Sequence, residues 1–271
     1  MSEVQDRVSL SNPPPAPAQA APEEVPVDIV PLPSSGRAYP AGHPLHLKES
    51  IAIRSMTARD EDILTSRALI RNGRVVSALL ASCIAEKNVD PDTMLVGDRN
   101  AVLIGIRITG YGAEYPVNIT CPNCGVVAKH VVDLNQLPVK RFPKDADLSQ
   151  APLFSVALPI TKRTCTFRLL NGADEAELVQ ALDRGRRALG ENLVTGRLKR
   201  QIVALGDERD PNRIANLVMS MPARDARYLR ERIDAITPAV DMKTQFACAS
   251  CGTEAEVEVP LGTDFFWPEI R

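Results

Sequence analysis

Two Cys-x-x-Cys-Gly motifs carry the clearest chemistry in this chain: Cys121-Pro-Asn-Cys124-Gly125 and Cys248-Ala-Ser-Cys251-Gly252. A tight turn at this spacing aims two sulfurs at one cation. Glycine after the second cysteine permits a turn conformation that a β-carbon opposes. Two such knuckles supply four thiolates, the closed tetrahedral set of a structural zinc site. Between Cys124 and Cys248 lie 123 residues. Closing a loop of that length costs roughly 4 kcal/mol plus a constant. Zinc binding at structural sites contributes about 10–16 kcal/mol, so a metal can hold the ends together. Three other readings use the same residues. A thioredoxin-like redox pair needs only one motif, in a βαβ setting. Four thiolates can also hold an iron–sulfur cluster. A catalytic zinc needs an open coordination position, which four cysteines do not leave. His130 lies near the first knuckle and could replace a ligand, although an exposed strand position explains it better.

The other two cysteines read differently. Cys83 falls on the apolar face of a helical run with Val75, Val76, Leu79, Leu80 and Ile84, the place of a buried core thiol. Cys165 falls at an apolar strand position.

Enzyme signatures are missing. The sequence has no phosphate-binding Walker loop, no Gly-x-Ser-x-Gly elbow and no His-Glu-x-x-His. Its three histidines, His43, His46 and His130, offer little for imidazole acid–base work. The carboxylate pairs Asp60-Glu61 and Asp174-Glu175 sit at helix starts, where capping accounts for them. No small-molecule substrate is expected.

Elements must position the knuckles. Ile51–Ile53 reads as a strand, and Thr57 starts a helix with early acids. A second helix covers Val75 onward. Asp98 is expected to cap a third, which ends at Gly110-Tyr111-Gly112. Tyr115–Thr120 and Val126–Val132 are strands around the first knuckle. Phe154–Leu158 and Cys165–Leu170 read as a hairpin, followed by helices from Ala173 to about Ile236, with boundaries at Asp210-Pro211 and Met221-Pro222. Thr244–Ala247 and Glu254–Val259 flank the second knuckle.

The halves look alike. Arg54-x-Met56-x-x-x-Asp60-Glu61-x-x-Leu64 aligns with Arg168-x-Leu170-x-x-x-Asp174-Glu175-x-x-Leu178. Asp98 precedes Cys121 by the same interval as Asp225 precedes Cys248. The expected fold class is therefore α+β. Two related halves, each a strand, helices and a cysteine-knuckle hairpin, meet at a four-cysteine, zinc-ribbon-like site. The expected organisation is a proline-rich extended arm over 1–40, a first half over 41–137, a linker over 138–152 and a second half over 153–271 with an aromatic tail. The arm carries nine prolines between residues 11 and 40, which suits neither helix interiors nor central strands.

Composition bounds the partners. Net charge is −2 and 24% of residues are charged, so no global cationic field marks a nucleic-acid or anionic-membrane binder. Local basic runs exist at Arg184, Arg186, Arg187, Arg197, Lys199 and Arg200, and at Arg224, Arg227, Arg230 and Arg232. They support, as an alternative, a zinc-ribbon nucleic-acid-binding protein that uses Arg-rich helices. A solvated helix face explains them too. The start does not read as a secretory signal. The longest nearly apolar run, Val75–Ala85, is too short to span a bilayer, so no membrane insertion is expected.

Several segments together resemble one family. They are Leu32-Pro-Ser-Ser-Gly36-Arg-Ala-Tyr39, Met56-Thr-Ala-Arg-Asp-Glu61, Val96-Gly-Asp-Arg-Asn-Ala101 leading into Arg107-Ile, Tyr111-Gly, Cys121-Pro-Asn-Cys124-Gly, and Phe265-Phe-Trp-Pro268. The pattern is similar to that of the baseplate hub assembly proteins of T-even-type contractile-tailed bacteriophages, over roughly residues 30–271. The Gly-Asp-Arg-Asn run and the terminal Phe-Phe-Trp-Pro are its more specific parts. The resemblance implies a non-enzymatic structural or assembly role in a tail baseplate hub, with other tail and hub proteins as partners. It implies work in the host cytoplasm during assembly and a place in the virion if the protein stays there. It leaves open whether the protein stays or departs as an assembly chaperone. Phe265, Phe266 and Trp267 are three of 11 aromatics, packed near the chain's end. They are read as partner-binding, with folding back onto the second knuckle as the alternative.

Overall fold

The computed structural model describes residues 26–144, 146, 148–149, 151–187, 193–259 and 265–266. The first elements are β1 (Val27–Pro31), β2 (Ser50–Arg54), α1 (Ala58–Thr65), α2 (Arg67–Arg71), α3 (Val75–Cys83) and α4 (Val96–Tyr111). Next come β3 (Glu114–Thr120), β4 (Val127–Asp133) and β5 (Val139–Lys140), then β6 (Leu153–Ala157), β7 (Thr164–Arg168), α5 (Gly172–Arg187), α6 (Leu193–Gln201) and β8 (Ile202–Leu205). The last are α7 (Pro211–Met219), α8 (Ala223–Ile236), β9 (Ala239–Val240), β10 (Lys243–Ala247) and β11 (Glu254–Glu258). All described sheets are antiparallel and small: β1–β2, β3–β4, β5–β9, β10–β11 and the three-stranded β6–β7–β8. The class is mixed α and β.

Two hydrophobic clusters organise the molecule. One gathers β1 and β2, α3, α4, β3 and β4, and also takes Phe246, Cys248, Val259, Phe265 and Phe266 from the far end of the chain. The other packs β6–β8 against α6–α8, with Phe142 stacked on Phe154 and Phe154 on Phe167. The chain's last hairpin thus lies in the core that its first half builds, whereas the sequence groups it with 153–271. Burial of its apolar face decides this, since a lone two-stranded hairpin is marginal in water.

Three segments carry structure that the sequence reading did not include. The extended arm does not reach residue 40. Val27–Pro31 pair with β2, and Leu32 and Tyr39 are buried. Prolines 31, 33 and 40 sit at a strand end and in turns, which tolerate them; residues 1–25 lie outside the described residues. Within 138–152, expected as a linker, β5 pairs with β9 and Phe142 is buried. The helical stretch after Ala173 is interrupted by β8, whose Ile202, Ala204 and Leu205 are buried beside β7. The open edge of β7 outweighs the helical neighbourhood, and Gly206 turns the chain at φ 63°.

Helix starts follow local chemistry. Thr57 opens α1 with a capping box closed by Asp60, and Asp210 caps α7 with Pro211 in its first turn. Asp98, expected as a cap, is instead the third residue of α4, after Leu95 at the cap position. Its buried carboxylate accepts from the Ser34 amide at 2.9 Å, the Ser34 hydroxyl at 2.6 Å and the Tyr39 hydroxyl at 2.8 Å. α4 ends at Gly112 with φ 84°, a conformation glycine adopts without steric cost.

Candidate metal centre

Each knuckle is a turn between two paired strands. In the first, the Cys121 amide donates to the Val126 carbonyl at 2.9 Å and the Gly125 amide to Cys121 at 3.0 Å. In the second, Cys248 donates to Thr253 at 2.9 Å and Gly252 to Cys248 at 2.8 Å. Gly125 and Gly252 have φ 72° and 70°. A β-carbon at either would meet nothing within 4 Å, so backbone conformation, not space, requires glycine there.

The knuckles face each other. The four sulfurs of Cys121, Cys124, Cys248 and Cys251 all lie within 4.8 Å of one another. Cys121 Sγ is 3.7 Å from Cys251 Sγ, and Cys124 Sγ is 3.7 Å from Cys248 Sγ. First cysteine meets second cysteine in both pairs, so exchanging the knuckles leaves the pattern unchanged. One cysteine of each knuckle is buried and one exposed. Asn123 crosses between them, donating from Nδ2 to Thr253 Oγ1 at 3.0 Å.

A tetrahedron of sulfurs about 2.3 Å from a zinc ion has edges of about 3.8 Å. The observed pairs fit such a cage around a single cation. An iron–sulfur cluster spreads its thiolates around several atoms, which suits this set less well. Electrostatics also call for a cation. Backbone N–H groups of Cys124 and Asn123 hold Cys121 below its ordinary value. The Thr253 hydroxyl and N–H hold Cys251 down to about 6. The Val126 N–H pulls Cys124 the same way, but burial and the three neighbouring thiols outweigh it and push it up to about 11. Four sulfurs this close cannot all ionise without a positive charge among them.

Cys83 and Cys165 are buried elsewhere, with their thiols pushed up to about 11 and about 12 by burial. His130 stands on β4 with its ring edge-on to Phe246 at 6.0 Å, outside the four-sulfur group. Sequence reasoning missed Asn123 and Thr253; their only signal is a polar residue inside one knuckle and just after the other.

The motif residues away from the cysteines bind the chain to itself. Asp98 pins the Leu32–Tyr39 segment as described. A β-carbon on Gly97 would fall 1.9 Å from the Pro238 carbonyl oxygen. Buried Arg99 donates to the Pro91 carbonyl and lies 3.5 Å from Glu175 on α5. A β-carbon on Gly172 would collide with that guanidinium at 2.3 Å. Arg107, 1% exposed, donates to the carbonyls of Phe265 at 2.9 Å, Gly112 at 2.7 Å and Glu114 at 3.2 Å. It also lies over the rings of Tyr111 and Tyr115.

Phe265 and Phe266, expected to bind a partner, pack within the chain. They are 1% and 5% exposed and buried in the first cluster. Phe265 stands edge-on to Tyr115 at 4.9 Å. Apolar burial of a Phe-sized ring, about 1.5–3 kcal/mol, is satisfied inside the chain. Trp267 lies outside the described residues, as do the side chains of Arg184, Arg186 and Arg187. Of the α8 arginines, Arg227 pairs with Glu231 at 2.7 Å, and Arg224, Arg230 and Arg232 are exposed.

Residues 30–150 match the family model described as T4 bacteriophage base plate protein. No curated protein and no solved structure matches the chain. No helix among the described residues is long and apolar enough to cross a membrane.

Proposed function

We propose, from the premise that residues 30–150 belong to the T4 bacteriophage base plate protein family, that this chain is a non-enzymatic structural or assembly component of a contractile-tail baseplate hub. The family implies other tail proteins as partners and a place in the virion tail. Assembly in the host cytoplasm belongs to the same reading. So does Trp267, next in sequence after Phe266, as a candidate contact to a neighbouring hub protein.

One zinc ion per chain, held by Cys121, Cys124, Cys248 and Cys251, clamps two related halves. The single observation that carries this is the four-sulfur group, whose 3.7 Å pairs join knuckles far apart in sequence. The residues would supply a closed, redox-inert crosslink with no open position for substrate.

Repeated hydrogen-bond geometry supports the duplication. Arg54 grips Asp60 through two bonds of 2.7 and 2.9 Å, and Arg168 grips Asp174 through two of 2.6 and 2.7 Å. Leu32-Pro33-Ser34-Ser35-Gly36-Arg37 after β1 matches Leu158-Pro159-Ile160-Thr161-Lys162-Arg163 after β6. Buried Asp98 reaches Ser34, and buried Asp225 reaches the amides of Ile160 at 2.7 Å and Thr161 at 3.0 Å. On this reading the first half extends back to Val27.

Elemental analysis tests the clamp, with an expected ratio near one zinc per chain. Cys124→Ser and Cys251→Ser should each lose the metal, while Cys83→Ser and Cys165→Ser keep it. Full zinc after Cys251→Ser would refute a shared site. Mass spectrometry of purified particles and of tail-protein complexes tests the hub role. Salt-sensitive DNA binding without tail proteins would instead favour a nucleic-acid function.

A further inference from the structure

A cleft of about 290 Å³ opens at the seam between the two clusters, away from the cysteines. Its walls come from the start of α4, from Leu169 and Leu170 after β7, and from α6 and α8. Three observations give it a chemical character. The amides of Gly97 and Asp98, in the first turn of α4, have no acceptor among the described residues, while Val96 donates to Leu170 and Arg99 to Leu95. Gln201 lines the cleft and is 8% exposed, yet its side-chain amide makes no hydrogen bond among the described residues. Its polar atoms are not sealed from solvent, so they face the open space of the cleft. Arg197 and Arg230 belong to the lining and are exposed, and Asp234 is the one acidic group there; Arg230 Nε also donates to the Ala226 carbonyl at 3.3 Å, and the Arg197 charge acts on Glu175.

The Gln201 amide and the two free backbone amides are open to whatever enters the cleft, so a ligand with acceptors can replace water on them. The helix terminus favours an anion, and the arginines favour one that accepts two hydrogen bonds. The formal charge of the lining, two arginines against one aspartate, suits a single negative charge better than a doubly charged phosphate. Leu95, Val194, Leu198 and Ile233 add an aliphatic wall. An aliphatic side chain and a carboxylate on adjacent atoms belong to a chain end, and the volume is small for a peptide that continues in both directions.

We infer that this cleft captures the C-terminal carboxylate of a partner protein that ends in an aliphatic residue. The inference deepens the assembly reading by naming the chemistry of one contact, and it is read independently of zinc content and of hub co-purification.

The test uses the full-length, zinc-loaded chain, isotopically labelled, titrated at neutral pH and followed by NMR. N-acetylleucine should shift the Gly97 backbone and Gln201 side-chain amide signals saturably. N-acetylleucinamide should not, and N-acetylaspartic acid α-amide, with its carboxylate on a side chain, should bind about tenfold more weakly or worse. Arg197→Gln combined with Arg230→Gln should weaken N-acetylleucine by about tenfold or more. Gln201→Leu, which keeps the packing, should weaken it as well. Equal shifts with the neutral amide, preference for inorganic phosphate, or unchanged binding in both variants would overturn the proposal.

Discussion

Arg107 shows why a signature residue need not be a catalytic one. Its guanidinium is buried without a carboxylate on the described contacts and spends its donors on three carbonyls. Burial lowers its proton affinity from the ordinary value, with the two tyrosines opposing. What it gains is reach: one side chain ties the end of α4 to β3 and to the far end of the chain. Lysine has no planar fork to span three carbonyls. Phe265 is the other half of that junction. Phe265→Ala should cost about 3–5 kcal/mol, the range for truncating a buried aromatic, measured by denaturant unfolding. A change under about 1 kcal/mol would mean that the terminal segment is not part of the core.

At the scale of elements, the two arginine–aspartate locks bind a strand to the helix after it. Burial alone would raise Asp60, but the Arg54 guanidinium, Ser82 and Thr57 hold it well below the usual carboxylate range. A carboxylate depressed in the folded state stabilises above its unfolded value, about 3.9, and loses that contribution as pH falls through the folded value. Acid unfolding should therefore include a component below about pH 4 that Asp60→Asn removes while lowering stability at neutral pH. An unchanged acid profile in Asp60→Asn would contradict this. Glycines separate two kinds of constraint in the same way. Gly97→Ala should cost about 3 kcal/mol, because its β-carbon meets backbone that cannot yield. Gly125→Ala should cost about 1 kcal/mol, because only its positive φ is strained. Thermal melts of the two variants check the order.

For the whole molecule, the cysteine group joins segments that no continuous run of sequence connects. The first cluster depends on it more than the second, since Cys121 and Cys248 are both members of that cluster. Chelation should lower the melting temperature and expose the two knuckles to protease, with first cuts within residues 121–127 and 248–254. The β6–β8 sheet and its helices should resist longest. Early loss of that sheet on chelation would show that the clusters fold as one unit.

Local chemistry determined much of this protein. The knuckle turns, the Thr57 and Asp210 helix starts and the strands beside each cysteine pair were legible because each depends on residues a few positions apart. The four cysteines could be grouped because thiolates at that spacing have few uses. Tertiary structure alone decided the rest. β8 became a strand because β7 offered an open edge, against a helical setting on both sides. Asp98 left its expected capping role because Ser34 and Tyr39 arrived from a segment read as an extended arm. Phe265 and Phe266 turned inward because Arg107 and the first cluster offered them a buried site. In each case the deciding partner lies dozens of residues away, where periodicity and propensity carry no signal.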